Sequence, residues 1–368
     1  MSHQRYFRYL VASAIAKLAV GIAFGIQSQI VAQTKPNTDR IPIDFPNRLA
    51  PPWENAVLSR TLESQEDINK IRFSPDGNIL ASVGASKVTL WQVDKGEIQR
   101  TLPGHYASKL GLEIAPTAIA FSPDSNFLAT ATWSQGLLSP DSSVVVWNIA
   151  TGEKVLSLQD TKGCRQVLFD VEGKILYAAC DLGVSAWSFP DGKKLFSLDT
   201  EYAIETIALH PQGKVMATVD ANITRGRQGK QSNQIQLWQI DRGEATLLNT
   251  LDGHINEIAG LEFTADGKKL VSSSYDGKIN VWNWQQGTIY PKTKNLYSDD
   301  GLFSLSADSR LIAGNFHNST MASLVTGLSL RNVMVSAQTP QTVAFSPNGR
   351  LFARVKQSQI NLWQTNSE

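Results

Sequence analysis

The sequence predicts an all-β fold: a seven-bladed β-propeller over residues 56–368, its ring closed by pairing an N-terminal strand with the last blade. Three observations predict it. A Ser-Pro-Asp-Gly-type turn recurs along the chain, a tryptophan ends a strand soon after most copies, and the repeat is about 40–50 residues long, the period of propellers and solenoids. The clearest copy reads Phe73-Ser74-Pro75-Asp76-Gly77, then Ile79-Leu80-Ala81-Ser82, then Val88-Thr89-Leu90-Trp91. Variants begin at Phe121, Leu168, Leu209, Phe263, Leu305 and Phe345, with Trp147, Trp187, Trp238, Trp282 and Trp363 at the recurring strand end. The sixth copy has Leu324 in place of the tryptophan. Turns and spacing give seven blades, with six and eight as the alternatives.

Each repeat unit has a local cause. In the first turn, Pro presets φ, Asp bonds its own backbone and Gly takes the positive φ that closes a hairpin. A second turn family follows the tryptophans at Lys95-Gly96, Thr151-Gly152, Asp191-Gly192, Arg242-Gly243 and Gln286-Gly287, and sets a fourth strand after it. The seventh copy stops at Trp363-Gln364-Thr365 without one. Ala56–Leu62 supplies it, because it ends in Arg-Thr-Leu as the fourth strand Glu97–Leu102 does. Pairing the two closes the ring and leaves few free edges.

Upstream of the repeats, Arg5 and Arg8 precede an apolar run from Leu10 to Ile26 broken only by Lys17, and Ala32 offers a small residue for cleavage. Residues 1–32 read as a signal peptide, which places the protein in the periplasm or outside the cell. An uncleaved anchor facing away from the cytoplasm is the alternative, since the run approaches a membrane span. Residues 33–55 carry Pro36, Pro42, Pro46, Pro51 and Pro52 and read as an extended linker. The chain has 34 basic and 33 acidic residues; removing Arg5, Arg8 and Lys17 leaves a net charge of −2, which argues against nucleic acid.

The only cysteines, Cys164 and Cys180, both fall in the third repeat. Residues paired across an antiparallel hairpin share a constant index sum. A three-residue loop between Asp170 and Lys174 gives 344, which is also the sum for the two cysteines. They then sit opposite each other, within disulfide reach. Two buried thiols are the other reading.

The repeats resemble the WD-repeat β-propeller family over residues 56–368. In that family a Gly-His, a Ser or Thr, a turn Asp and the Trp form a hydrogen-bonded tetrad. The fifth repeat matches best. Gly253-His254 precedes it, Ser272–Ser274 lie on its second strand, and Asp276 and Trp282 follow. The resemblance implies a structural tetrad of His254, Ser274, Asp276 and Trp282, and a scaffold role.

The sequence offers no catalytic constellation and implies no cofactor or metal. It lacks a His-Glu-x-x-His, a nucleophile elbow and a phosphate loop, and two cysteines with scattered histidines make no zinc set. His210 reads as a turn residue, His317 is unplaced, and Ser298–Gly301 is a calcium-like cluster missing its other ligands.

Insertions point to a binding face instead. One carries Tyr106 and Lys109, a second Trp133, Leu137 and Leu138, and a third Arg225, Arg227 and Lys230. The first two enter the second blade and are expected to be neighbours. The expectation is an exported, non-catalytic scaffold that binds a protein partner on this face. The alternatives are a glycan or small-molecule sensor on the same loops, a propeller enzyme with ligands in the central channel, and loops that fold onto their own propeller.

Overall fold

The computed structural model describes residues 53, 56–107, 109, 111–133, 140–158, 161–200, 202–221, 233–241, 244–291, 303–316, 319–324 and 342–365. They hold no α-helix and form seven antiparallel blades. From the inside outwards, blade 1 comprises Lys70–Phe73, Ile79–Val83, Lys87–Gln92 and Glu97–Pro103. Blade 2 comprises Ala118–Phe121, Phe127–Ala131, Val144–Asn148 and Lys154–Leu158, and blade 3 Gln166–Phe169, Ile175–Cys180, Gly183–Ser188 and Lys194–Asp199. Blade 4 comprises Ile204–Leu209, Val215–Asp220, Gln234–Asp241 and Glu244–Asp252; blade 5 has Ile258–Phe263, Leu270–Ser274, Ile279–Asn283 and Thr288–Ile289. Blade 6 has three described strands, Phe303–Leu305, Leu311–Phe316 and Ser319–Ser323.

Blade 7 joins the two ends of the repeat region. Val343–Phe345, Leu351–Lys356 and Gln359–Gln364 are completed on the outside by Val57–Glu63, which runs antiparallel to Gln359–Gln364 with Leu62 opposite Ile360. The expected closure is thus present in the structure.

The repeated turns work through the hydroxyl that starts them. Ser74 Oγ donates to Asp76 and accepts the Ile79 amide at 2.9 Å. Ser122, Thr264, Ser306 and Ser346 repeat both contacts. Gly77 takes φ 76°, whereas Ser125 and Ser309 are held in the same left-handed region in the glycine-free copies.

The core lies between blades. Buried apolar side chains of adjacent blades meet there, and a tryptophan such as Trp282, 1% exposed, is wedged against the neighbouring blade. The turns between third and fourth strands also join blades. Arg60 donates to the Asp94 and Lys95 carbonyls, and Arg100 donates to the Ala150 carbonyl at 2.7 Å. Trp53 packs edge-on against Phe345 and Phe352 and so belongs to the core of blade 7.

In blade 3, Cys164 and Cys180 form a disulfide. The register that brings them together differs from the expected one. Phe169 faces Leu176 and Gln166 faces Ala179, an index sum of 345 rather than 344, because the hairpin loop has four residues. Arg165 is the extra residue: its amide already bonds the Ala179 carbonyl, so Cys164 arrives opposite Cys180. Blades 4 and 5 show the same shift, with Ile258 opposite Ser274. Replacing both cysteines by alanine is expected to lower unfolding stability by about 3 kcal/mol, the loop-closure value for a ring of this size. A denaturant titration under oxidising conditions checks it; a midpoint equal to wild type would show that the bond adds nothing.

Candidate interaction site

The hydrogen-bonded network of blade 5 is complete, with one change of residue. His254 Nδ1 donates to Asp276 Oδ2 at 3.0 Å, Ser272 Oγ donates to His254 Nε2 at 2.8 Å, and Trp282 Nε1 donates to Ser272 Oγ at 2.8 Å. The serine is Ser272 and not Ser274. Trp282 pairs with Leu270 across the strands, and its indole nitrogen reaches the residue two further on. Ser274 lies at the strand end, where its hydroxyl donates to the Asn256 carbonyl and accepts the Asp276 amide. Burial alone would raise the Asp276 carboxyl, but the Ile255 and Lys278 amides and His254 bring it below its ordinary value. Burial pushes His254 down against the pull of Asp276. These groups face one another inside the blade, and each polar atom has a structural partner.

The same rule of register reads the other blades. Trp91 donates to Ser82, Trp147 to Thr130 and Trp238 to Thr218, each a hydroxyl two residues beyond the paired position. Blade 2 carries the chain's other Gly-His, Gly104-His105. His105 Nε2 meets Thr130 Oγ1 at 2.8 Å, and His105 Nδ1 donates to the Ser142 carbonyl, which stands where blade 5 has an aspartate. In blade 3 the hydroxyl position is Ala178, and the cystine occupies the positions of Ile258 and Ser274. A covalent clamp thus holds the first two strands where the polar network is missing. In blade 7 the position is Arg354, and the Trp363 indole nitrogen is buried with no partner among the described residues.

Burial lowers the His105 imidazole to about 4 against the pull of the Ser142 carbonyl. The unfolded chain takes up its proton near 6.5, so between the two values the unfolded state binds more protons and stability falls as pH falls. The loss amounts to about 3 kcal/mol between pH 6.5 and 4. Thermal melts across this window are expected to show a shallower decline for His105→Asn than for wild type. An identical slope would remove His105 as a cause.

The two insertions before and within blade 2 meet. His105–Ala107 and Leu112–Ile114 pair as a short hairpin with Tyr106 opposite Glu113. The Asp141 amide, at the end of the second insertion, donates to the Tyr106 carbonyl at 2.9 Å. Tyr106 is 56% exposed and Leu112 49%, and Lys109 is exposed beside them. Trp133 does not share that exposure. It is half-buried, with the Arg165 guanidinium 4.8 Å over its ring and its indole nitrogen buried. Leu137, Leu138, Arg225, Arg227 and Lys230 lie outside the described residues, as do residues 1–32, His317 and Ser298–Gly301.

The inner strands carry a cluster of charge that sequence reasoning missed. Arg165 bridges Asp181 at 2.8 Å and Glu205 at 3.3 Å. Lys70 donates to the Thr117 carbonyl and Arg72 to the Ile119 carbonyl. Burial, with Arg72 beside it, lowers Lys70 to about 7; burial lowers Arg72 to about 10. Burial raises Glu205 despite Arg165, and raises Glu262 well above its ordinary value despite Arg72. The available signal was a charged residue one place before the recurring strand-end aromatic, as in Arg72-Phe73 and Glu262-Phe263. It occurs in too few copies to read as a pattern. Among the described residues no group of three or more His, Cys, Asp or Glu is placed to hold a metal ion.

Comparison with known proteins agrees with the blades that keep the network. The family model described as "WD domain, G-beta repeat" matches residues 56–92, 96–148 and 245–283. The chain is 26% identical over 300 residues to Nuclear distribution protein PAC1-2 of Uncinocarpus reesii, covering 66% of this chain and 64% of that protein. It is 22% identical over 232 residues to Serine-threonine kinase receptor-associated protein of Rattus norvegicus, covering 62% and 59%. With Periodic tryptophan protein 2 of Arabidopsis thaliana it shares 24% over 230 residues, 61% of this chain and 23% of that one. The matches thus span less than two thirds of the length of each of these relatives.

Proposed function

Since the chain is a WD-repeat β-propeller, we propose that it is a non-catalytic scaffold that binds a protein partner through the face carrying the Tyr106–Leu112 hairpin. The observation that carries the reading is the exposure of Tyr106 and Leu112 on a short hairpin tied to the second insertion by the Asp141 amide. Exposed aromatic and aliphatic side chains on a pre-ordered element are the usual anchors of an interface. The name of one relative, a receptor-associated protein, describes association with a protein.

The protein acts outside the cytoplasm in this reading, delivered by residues 1–32. The cystine of blade 3 supports it, because such bonds persist in oxidising compartments. The test compares crosslinked partners of wild type and of Tyr106→Ser/Leu112→Ser in the native cell envelope, by mass spectrometry. A defined partner lost from the folded variant is the expected result. A partner indifferent to both changes would remove this face from the proposal.

A further inference from the structure

We propose that the cystine of blade 3 is a thiol-exchange site: a thiolate entering the groove between blades 2 and 3 attacks Cys180 Sγ and releases Cys164. The two cysteines are not equivalent. Cys164 is 0% exposed and forms no part of the groove wall. Cys180 keeps 8% exposure and lines the groove, an open crevice of about 540 Å³. Exchange depends on which sulfur a thiolate can reach, so access selects Cys180 as the atom attacked and Cys164 as the leaving group.

The groove suits an incoming thiolate. Its volume takes a thiol the size of a tripeptide, or a cysteine carried on a protein loop. Lys162, exposed on the wall, and Lys194 offset Asp191 and Asp199, so the anion meets no net negative charge. Asp181, next to Cys180 in the chain, is paired with Arg165 at 2.8 Å.

The new bond joins the incoming sulfur to Cys180. The old bond breaks, and its electron pair leaves on Cys164 as a thiolate that takes up a proton. A second thiolate then attacks the incoming sulfur, forms a disulfide with it and leaves Cys180 as a thiol; the two thiols supply the two electrons. The blade does not need the cystine to stay paired. Gln166–Phe169 remains in register with Leu176–Ala179, and the Arg165 amide holds the Ala179 carbonyl. The Cys164 amide donates to the Thr132 carbonyl at 3.1 Å, which keeps Cys164 in place to attack back and restore the bond. The inference is independent of the Tyr106 hairpin.

The test mixes the full chain with reduced glutathione, traps free thiols with N-ethylmaleimide in denaturant and maps both cysteines by mass spectrometry. Glutathione is expected on Cys180 and N-ethylmaleimide on Cys164, with a selectivity of about tenfold. Urea below the unfolding transition is expected to leave the rate unchanged. Lys162→Glu, on an exposed position, is expected to slow the reaction about tenfold. A reduced thioredoxin-type protein with its second cysteine replaced by serine is the other source of thiolate. Its capture on Cys180 without a glutathione adduct would assign the thiol to a protein. No adduct from either thiol, adducts shared equally by the two cysteines, a rate that climbs with urea, or an unchanged rate in folded Lys162→Glu would overturn the inference. If that variant misfolds, the mapping of wild type decides alone.

Discussion

A chain that begins at residue 65, lacking Val57–Glu63, is expected not to form a stable monomer. That strand contributes six register pairs to blade 7 and buries Leu62 to 1% exposure. Its ladder contributes about 1 kcal/mol per hydrogen bond, and burial of the leucine about 2 kcal/mol. Together these approach the whole stability of an ordinary domain, about 5–15 kcal/mol. Removal also leaves Gln359–Gln364 as a bare edge, a template for pairing with another chain. Size exclusion and a circular-dichroism melt check the expectation. A peptide of residues 56–64 added in trans should restore a monomer. A truncated chain that melts like wild type would show that the ring holds without its closing strand.

The second large effect is expected at Asp276. Replacement by alanine strips three donors of their acceptor: His254 Nδ1–H and the Ile255 and Lys278 amides. The histidine is 2% exposed, and a buried donor without a partner costs about 1–3 kcal/mol. The amides lie nearer solvent and rehydrate more easily. The net loss is expected to be about 3 kcal/mol. Asp276→Asn, which keeps an acceptor, should recover part of it. Urea titration measures both, and the Trp282 indole N–H signal in an NMR spectrum reports whether the indole loses its place. An alanine variant as stable as wild type would mean that the network orders the blade without stabilising it.

Much of the fold was legible because its cause is local. The Ser-Pro-Asp-Gly turns specify their hairpins through one hydroxyl and one left-handed residue, and the repeat of these turns counts the blades. Ring closure was legible from the matching Arg-Thr-Leu endings. Details that depend on register were harder. A four-residue loop set the hairpin sum at 345 rather than 344, and the extra residue at Arg165 restored 344 at the cysteines. A serine run hid which of Ser272 and Ser274 meets the indole, and only strand pairing decides it. The charged cluster of the inner strands was illegible for another reason. Lys70, Arg72, Glu205 and Glu262 come from three blades, and sequence does not show which blades face each other across the ring. Trp133 stood out by its position outside the repeat, but its packing under Arg165 depends on a residue 32 positions away.

Ring closure also fixes an order of events in folding. Thr61 meets Asn361 across 300 residues, whereas the cystine joins residues 16 apart. Every other blade can be assembled from one continuous stretch as it leaves the ribosome or a translocation pore. Blade 7 cannot, because its outer strand is made first and its inner three strands last. Bringing such distant ends together costs about 4 kcal/mol more than closing a short hairpin. That cost shrinks once the intervening blades have stacked into an arc. The first strand synthesised is therefore the last to be seated, and oxidation of blade 3 can be complete before the ring is whole. A chain halted before residue 359 has every blade-forming segment up to the sixth and no means of closing.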